Sequence, residues 1–273
     1  MITSLQNKYV KEAAALSSKR KERDRQGLFV VEGRKMFGEA PAGQISRVYI
    51  ARSAEAEIYE QYGSKLSGLS CETVSDEVFA KISDTVTPQG ILCLVRQQHY
   101  NIEEMLRKVE KKQVLFIVLE DIQDPGNLGT IFRTAEAAGA DGVIMSSRTA
   151  DIYNPKTIRS TMGAVYRLPF FYTEDLSSVI CRMRACGVGV YAAHLRAEAD
   201  YDDCDYQKST AFLIGNESNG LREETASCAE KRISIPMEGK AESLNAAVAS
   251  SVLLYEAYRQ RRQYVKRFLG GEK

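Results

Sequence analysis

The chain has 273 residues, of which 44% are hydrophobic, and its 37 Lys and Arg nearly balance 36 Asp and Glu. This length predicts two domains with enough apolar residues for packed cores, and the near-neutral charge gives no overall argument for nucleic acid. The longest clear apolar run, Val114 to Leu119, is strand-sized, so no membrane span is predicted.

The N-terminal segment, residues 1–27, is predicted to be helical, with Gly27 as its end. Residues 1–35 hold nine Lys and Arg against four Asp and Glu, and residues 256–273 hold six against two. Basic ends on an acidic middle suit a protein that touches phosphate at its edges, although solvated helical ends explain them equally well. The predicted phosphate-contacting residues are Lys19, Arg20, Lys21, Arg23 and Arg25.

Strands then alternate with helices as far as residue 95. The hydrophobic periodicity predicts strands at 28–31, 45–50 and 91–95, and helices at 33–40, 53–62 and 75–82. This order indicates a small α/β domain. A polar stretch at 97–101 and a helical one at 102–112 indicate a linker, so the predicted domains are 1–98 and 113–273, joined by residues 99–112.

The second domain opens on the apolar run from Val114, which is typical of a strand buried in a parallel sheet. Further strands are predicted at 142–145, 188–192, 212–214 and 233–235, with helices between them, one starting at Asn154-Pro155. We therefore predict a mostly parallel α/β sheet. The six cysteines form no C-x-x-C pair and are predicted to be reduced, mostly buried thiols, with no metal site. No signal-peptide-like apolar segment opens the chain, from which we expect a cytoplasmic location.

Three predicted strands end in polar loops. After the first strand of the second domain come Asp124-Pro125-Gly126-Asn127, which is turn chemistry at the edge where open α/β sheets bind ligands. Asn127 is predicted to cap the next helix, and Arg133 lies within about 120° of it around the helix axis. The strand at 212–214 runs into Gly215, which allows close backbone approach, and Glu217 at the rim.

The third loop follows the strand at 233–235, which Pro236 terminates because proline cannot donate to a ladder. Ser243 is predicted to cap the following helix, whose N-terminus, with Ser243 and Asn245, can hold an anionic or polar ligand. Each loop alone is explained as an ordinary strand–turn–helix connection. Together they predict one ligand site.

These three stretches resemble the three motifs of the SpoU/TrmH family of S-adenosylmethionine-dependent RNA 2′-O-ribose methyltransferases, in the SPOUT superfamily. The motif residues are Asn127, Gly129 and Arg133; then Gly215, Asn216, Glu217, Gly220 and Leu221; then Ile235, Pro236, Met237, Gly239, Ser243, Leu244 and Asn245. Their order also matches, over residues 113–260. The N-terminal hundred residues resemble the L30e-related RNA-binding domain of many members, and the start of the chain resembles the ribosomal RNA branch.

The resemblance implies an L30e-like α/β domain followed by a SPOUT-type domain with a deep trefoil knot and a mostly parallel sheet. It implies a homodimer with each active site completed near the subunit interface, and methyl transfer from S-adenosylmethionine to a ribose of RNA, with large-subunit ribosomal RNA as the best candidate. The implied catalytic residues are Arg133, Asn127, Glu217, Ser243 and Asn245. The implied cofactor-binding residues are Gly215, Asn216, Ile235, Met237, Leu244 and Asn245.

Two other functions compete with this one. A non-catalytic RNA-binding protein on the same scaffold need not keep Asn127, Arg133, Glu217 and Asn245. A nucleotide-dependent oxidoreductase would carry a G-x-G-x-x-G loop after a strand, and none is present. His194 could serve as a base by its usual pKa, but it has no obvious partner, so a structural or surface role is predicted. The sequence does not identify the methylated nucleotide.

Overall fold

The structure is a computed structural model that describes residues 1–268, with side chains described as far as residue 264. The chain divides into two units, the first made of Met1–Gln98 with Asp151–Tyr166 and the second of His99–Ala150 with the chain from Arg167 onward. Part of the basic stretch at residues 256–273 cannot be described: position 273 lies outside the described residues, and so do the side chains of residues 266 and 267.

The helices are α1 (Lys8–Ser18), α2 (Arg20–Gln26), α3 (Arg34–Glu39), α4 (Glu55–Leu66), α5 (Asp76–Ile82), α6 (Ile102–Leu106), α7 (Pro125–Ala137), α8 (Pro155–Thr161), α9 (Leu176–Ala185), α10 (Glu223–Ser227) and α11 (Ala246–Phe268). The strands are β1 (Leu28–Glu32), β2 (Ile45–Ala51), β3 (Cys71–Val74), β4 (Ile91–Arg96), β5 (Leu115–Leu119), β6 (Gly142–Ser146), β7 (Phe170–Thr173), β8 (Gly189–Ala193), β9 (Ala199–Asp200), β10 (Thr210–Ile214) and β11 (Lys231–Ser234).

The first unit is built on a four-stranded mixed sheet of order β1-β4-β2-β3. Its predicted strands at 28–31, 45–50 and 91–95 and the helices between them are confirmed. The helical prediction for residues 1–27 is confirmed only in part, because residues 1–7 are not helical and the extended backbone of Lys19 separates α1 from α2. Helix α2 ends at Gly27, whose φ of +62° is the left-handed conformation that favours glycine. The sequence did not predict β3. Only Val74 of its four residues is buried, so the strand has no apolar run to mark it.

A segment from the middle of the chain completes the first unit. The ring of Tyr153 lies 4.5 Å from that of Phe29, between centroids. Its hydroxyl accepts from the N–H of Gln98 at 2.8 Å and donates to the carbonyl of Gln98 at 3.0 Å. Helix α8, which begins at Pro155 with Asn154 as N-cap as predicted, packs near β1. The predicted boundaries did not include this segment.

The structure contradicts the predicted phosphate contact of Arg23. Its side chain is 3% exposed, and Nε and Nη2 donate to Oδ2 of Asp151 at 3.0 and 2.6 Å. Nη1 donates to the carbonyls of Leu16 and Ser17. A guanidinium that is buried and fully bonded in this way stabilises the unit and is not available to a ligand. The other four predicted residues, Lys19, Arg20, Lys21 and Arg25, are exposed.

The second unit is built on a seven-stranded sheet of order β7-β6-β5-β10-β8-β11-β9, in which every pairing is parallel. All residues of β5, β6 and β10 are buried, which explains their continuous apolar runs. The predicted parallel α/β sheet is confirmed. The sequence did not predict β7, a four-residue edge strand with one buried residue, or β9, which has two residues.

The cysteines differ partly from expectation. All six are free thiols, but only Cys93 and Cys204 are buried, while Cys181 and Cys186 are exposed. The prediction that most are buried is therefore wrong, because Cys181 on α9 and Cys186 directly after it lie at the surface, and Cys71 and Cys228 are only partly buried. No helix in residues 1–268 combines the length and apolarity that crossing a membrane requires.

Candidate functional site

The three polar loops meet at one edge of the seven-stranded sheet. Strand β10 pairs in parallel with β5, and Ile214 lies opposite Leu119, so the loops after both strands start side by side. The N–H of Glu120 donates to the carbonyl of Ile214 at 2.8 Å, which extends this pairing past the strand ends. Parallel strands therefore bring together residues that lie about ninety positions apart in the sequence.

The first loop turns into α7 with a different cap from the predicted one. Asp124 is the N-cap, since its Oδ1 accepts from the N–H of Asn127 at 2.8 Å, and Pro125 occupies the first turn. Both residues suit these positions, because proline needs no hydrogen-bond partner there. The prediction that Asn127 is the cap is wrong, and the side chain of Asn127 is left to make other contacts.

Asn127, Glu217 and Asn245, one from each loop, form a hydrogen-bonded chain that we call the polar triad. Nδ2 of Asn245 donates to Oδ1 of Asn127 at 3.0 Å, and Nδ2 of Asn127 donates to Oε1 of Glu217 at 3.0 Å. Glu217 also accepts from the backbone N–H groups of Gln123 and Asp124. The amide of Asn127 is thus held in one orientation from both sides.

The carboxylate of Glu217 is the charged member of the triad. Partial burial raises its pKa, but hydrogen bonds from the amide of Asn127 and the N–H groups of Gln123 and Asp124 lower it more, so the pKa lies below the ordinary value of 4.5. Glu217 is therefore ionised at neutral pH. It acts as an acceptor and not as a proton donor.

The third loop also enters its helix later than predicted. Helix α11 begins at Ala246, and Asn245 is its N-cap, because Oδ1 of Asn245 accepts from the N–H groups of Ala247 and Val248. The prediction of Ser243 as the cap is wrong. Serine and asparagine are equally good caps, so the sequence alone does not choose between them. As a result Ser243 stays in the loop, where it lines a cavity.

The second loop can be made only with glycine at its start. A Cβ on Gly215 would lie 2.1 Å from the carbonyl carbon of Gly220 and from the nitrogen of Leu221. The backbone of Asn216 exchanges two hydrogen bonds with that of Gly220. Nδ2 of Asn216 donates to the carbonyl of Asp121 at 2.8 Å, so the side chain ties this loop to the first one.

A cavity of about 650 Å³ opens beside these loops. Of the residues that the resemblance implied, those lining it are Gly215, Asn216, Glu217, Ile235, Met237, Ser243 and Leu244. The size is that of a small-molecule site, and the lining mixes apolar side chains with a few polar ones. Asn127 and Asn245 are not among the lining residues, but the triad joins them to Glu217 at its rim.

Arg133 lies outside this cavity. It is exposed on α7, and among residues 1–264, whose side chains the structure describes, no hydrogen bond or ion pair holds its guanidinium. His194 lines the cavity, and its Nδ1 accepts from the N–H of Arg196 at 3.0 Å. This bond gives His194 a local structural role. Sequence reasoning missed Glu120, a buried acid whose signal was its place directly after a wholly apolar strand.

Comparison with known proteins agrees with this architecture. A sequence model of the SpoU rRNA Methylase family matches residues 114–255, and one of the MRM3-like substrate binding domain matches residues 7–93. The chain therefore belongs to the SpoU rRNA methylase family. The predicted family and the predicted mixed α/β fold class, with its mostly parallel sheet and an N-terminal substrate-binding domain, are confirmed.

Similar proteins are known along nearly the whole chain. The 23S rRNA (guanosine(2553)-2′-O)-methyltransferase RlmP of Bacillus subtilis is 33% identical over 93% of this chain and 97% of its own length. The AdoMet-bound rRNA methyltransferase of Sinorhizobium meliloti superposes with a TM-score of 0.81 at 35% identity, covering 94% and 97% of the two chains. The AdoMet complex of the SpoU methyltransferase AviRb of Streptomyces viridochromogenes gives a TM-score of 0.83 at 27% identity, covering 94% and 99%.

Proposed function

We propose that this protein transfers the methyl group of S-adenosylmethionine to a ribose 2′-hydroxyl of ribosomal RNA. The observation that carries the proposal is the polar triad, which ties together one residue from each family motif beside a cavity of cofactor size. Family membership and the AdoMet-bound neighbours confirm the predicted cofactor and the predicted activity on RNA. No observation favours the alternative of a non-catalytic RNA-binding protein.

The cavity fits S-adenosylmethionine by its chemistry. Gly215 has no side chain where the backbone of the loop must pass, while Ile235 and Leu244 offer apolar surface. Met237 and Ser243 complete the wall with a thioether and a hydroxyl, and Glu217 places a negative charge at the rim. A site with these groups can hold a flat adenine and a cation together. The cofactor supplies a methyl group that is already activated on a sulfonium.

The reaction is an in-line displacement, and alignment of the two reactants provides most of its acceleration. Arg133 cannot act as a literal base, because guanidinium stays protonated in proteins. We assign it to hold the neighbouring phosphate or the developing alkoxide, while the proton leaves to phosphate or water. Asn127, Ser243 and Asn245 orient the substrate and the cofactor, and the ionised Glu217 holds Asn127.

The active form is a homodimer, and helix α11 supports this. Of the large hydrophobic residues exposed in the described part of the second unit, all but Leu195 lie on this helix, namely Val248, Tyr255, Tyr258 and Tyr264. Val248, Tyr255 and Tyr258 lie within about 80° of one another around the helix axis, whereas Tyr264 lies on another side. An exposed apolar patch of this kind on one helix marks a protein interface. Arg133 lies on α7, which packs against α11, so a second copy bound to this face can bring an Arg133 to a cavity that lacks its own.

The remaining assignments complete the proposal. Residues 1–98, completed by the segment Asp151–Tyr166, bind the RNA, and residues 113–273 without that segment form the methyltransferase domain with its trefoil knot. Residues 99–112 connect the two and belong to the second unit, in whose core Ile102, Met105 and Leu106 are buried. The match of residues 7–93 to a substrate-binding domain supports the first of these. The exposed Lys19, Arg20, Lys21 and Arg25 contact phosphate. The protein acts in the cytoplasm.

Two measurements test the function. Isothermal titration with S-adenosylmethionine and with NAD compares the proposed cofactor with that of an oxidoreductase, and only the first is expected to bind. Mapping of 2′-O-methyl groups in ribosomal RNA, with and without the protein, then identifies the nucleotide. If the protein binds the cofactor and RNA but adds no 2′-O-methyl group to the RNA, the non-catalytic alternative is favoured.

A further inference from the structure

The carboxylate of Glu120 is buried where β5 ends, and the chemistry above does not use it. Glu120 is 1% exposed, and it accepts from the backbone N–H and the Nε of Arg222 at 2.7 and 2.8 Å. Nη2 of Arg222 lies 2.7 Å from Oε1, and the hydroxyl of Thr225 donates to the same oxygen. These hydrogen bonds also raise the pKa of the Arg222 guanidinium. A buried carboxylate needs such a complete set of donors.

Glu120 and the next residue, Asp121, together hold the two ends of loop 215–221. At the far end, Arg222 follows the loop directly, and Thr225 lies in α10 just beyond it. At the near end, Nδ2 of Asn216 is bonded to the carbonyl of Asp121. Between these ends the loop is closed on itself by the paired backbone groups of residues 216 and 220. Its position therefore depends on the hydrogen bonds at its two ends.

We propose that Glu120 is a positioning residue which, through Arg222 and Thr225, holds loop 215–221 in the shape that binds the cofactor. The inference rests on the proposed function, since it takes S-adenosylmethionine as the ligand of the cavity. Neither Glu120 nor Arg222 lines the cavity. Glu120 thus acts on the cofactor only through the loop. Its loss should therefore reduce cofactor affinity more than it reduces the rate of methyl transfer.

Asp141 offers a matched control at the opposite edge of the same sheet. It is 7% exposed and directly precedes β6, so it lies at the amino end of the strands. Its carboxylate accepts from the N–H of Leu115 at 3.0 Å and pairs with Lys112 at 2.5 Å. Asp141→Asn therefore neutralises a buried acid of the same unit that has no hydrogen bond to loop 215–221.

The test compares Glu120→Gln with Asp141→Asn in the full-length protein, by titration with S-adenosylmethionine and by thermal unfolding. We expect Glu120→Gln to weaken cofactor affinity about tenfold, which is typical of the removal of a charged hydrogen bond. Its KM for the cofactor should rise more than its kcat falls. Asp141→Asn should unfold at a lower temperature but bind the cofactor like the wild type.

Unchanged affinity in Glu120→Gln, or an equal loss of affinity in both variants, would overturn the proposal. If Glu120→Gln does not fold, Thr225→Val and Arg222→Gln each remove one partner of the carboxylate. Each should weaken affinity about threefold, and unchanged affinity in both would again overturn it. If the wild-type protein does not bind S-adenosylmethionine, the proposed function is overturned as well. If the wild type binds it and the variants show no loss of affinity, only the role proposed for Glu120 is overturned.

Discussion

At the scale of single residues, the site depends on how one amide is held. Asn127 receives a hydrogen bond from Asn245 and donates one to Glu217, so both ends of its side chain are committed. Glu217 in turn accepts two backbone N–H groups of the first loop. The triad therefore orients the groups around the cavity, whereas Arg133 supplies an exposed positive charge on the adjoining helix.

The role assigned to Arg133 separates binding from chemistry. We expect Arg133→Ala to bind S-adenosylmethionine with wild-type affinity, because the residue does not line the cavity. Its methyl transfer should fall about a hundredfold or more, as is typical when a stabiliser of developing charge is removed. Single-turnover methylation and cofactor titration measure the two quantities. Arg182→Ala, which changes a half-buried arginine paired with Glu103 away from the cavity, is the control. Unchanged turnover in Arg133→Ala would remove Arg133 from the chemistry.

The lowered pKa of Glu217 predicts a pH dependence of stability. Because the folded-state pKa lies below 4.5, the stabilisation by its ionised form is fully present above about pH 4.5 and is lost as the pH falls through the folded pKa. We expect Glu217→Gln to lower the thermal midpoint by a constant amount between about pH 8 and 6, and by less below pH 4.5. Glu238→Gln, at an exposed loop position, should show no such difference. A gap that widens on acidification would contradict this assignment.

At the scale of the elements, the first unit depends on a segment that the chain supplies only after residue 150. Arg23 on α2 is bound to Asp151, and Tyr153 packs on Phe29 of β1. A fragment made of residues 1–98 alone would leave the guanidinium of Arg23 without its carboxylate. Helix α2 is thus held to its unit by Arg23, the arginine that the sequence analysis predicted to contact phosphate.

The ion pair of Arg23 and Asp151 should be costly to break. Asp151→Ala leaves a buried guanidinium without its counter-charge, and we expect a loss of about 3–5 kcal/mol in the free energy of unfolding. Asp24→Ala breaks an exposed pair with Arg20 and should cost less than about 1 kcal/mol. Urea unfolding of the full chain measures both values. Replacing both partners, as Arg23→Met with Asp151→Leu, should recover part of the loss, because the buried charges are removed together while the carbonyls of Leu16 and Ser17 and the N–H of Tyr153 still lose a partner. Equal losses in the two single variants would contradict the structural role of Arg23.

At the scale of the whole molecule, RNA binding should depend strongly on salt. Lys19 and Lys21 are exposed, and removing one charge that binds a phosphate should flatten the slope of log affinity against log salt by about 0.7. We expect Lys19→Gln with Lys21→Gln to change the slope by about twice that amount. Lys81→Gln, which changes an exposed lysine on α5, is the control. The measurement is RNA affinity between low and moderate salt, and an unchanged slope in the double variant would exclude this surface.

Assembly can be tested on the apolar face of α11. Tyr255 is 47% exposed there, and Tyr59 in the first unit is 45% exposed. A charge at Tyr255 should disrupt a dimer interface that a charge at Tyr59 leaves intact, because burying an unpaired carboxylate is costly. Sedimentation should therefore give a monomer for Tyr255→Asp and a dimer for both the wild type and Tyr59→Asp. Dimers in all three would place the interface elsewhere.

The sequence by itself determined the alternation of strands and helices and the three polar loops, because periodicity and turn chemistry act between near neighbours. It identified Asn154 as the N-cap of α8 but not the caps of α7 and α11, since Asp124 and Asn127, or Ser243 and Asn245, are equally suitable by local preference. The sequence also could not identify the partner of Arg23, because local patterns carry no information on residues that are distant in the chain. Asp151 lies 128 positions away, and only the packed fold brings the two charges together.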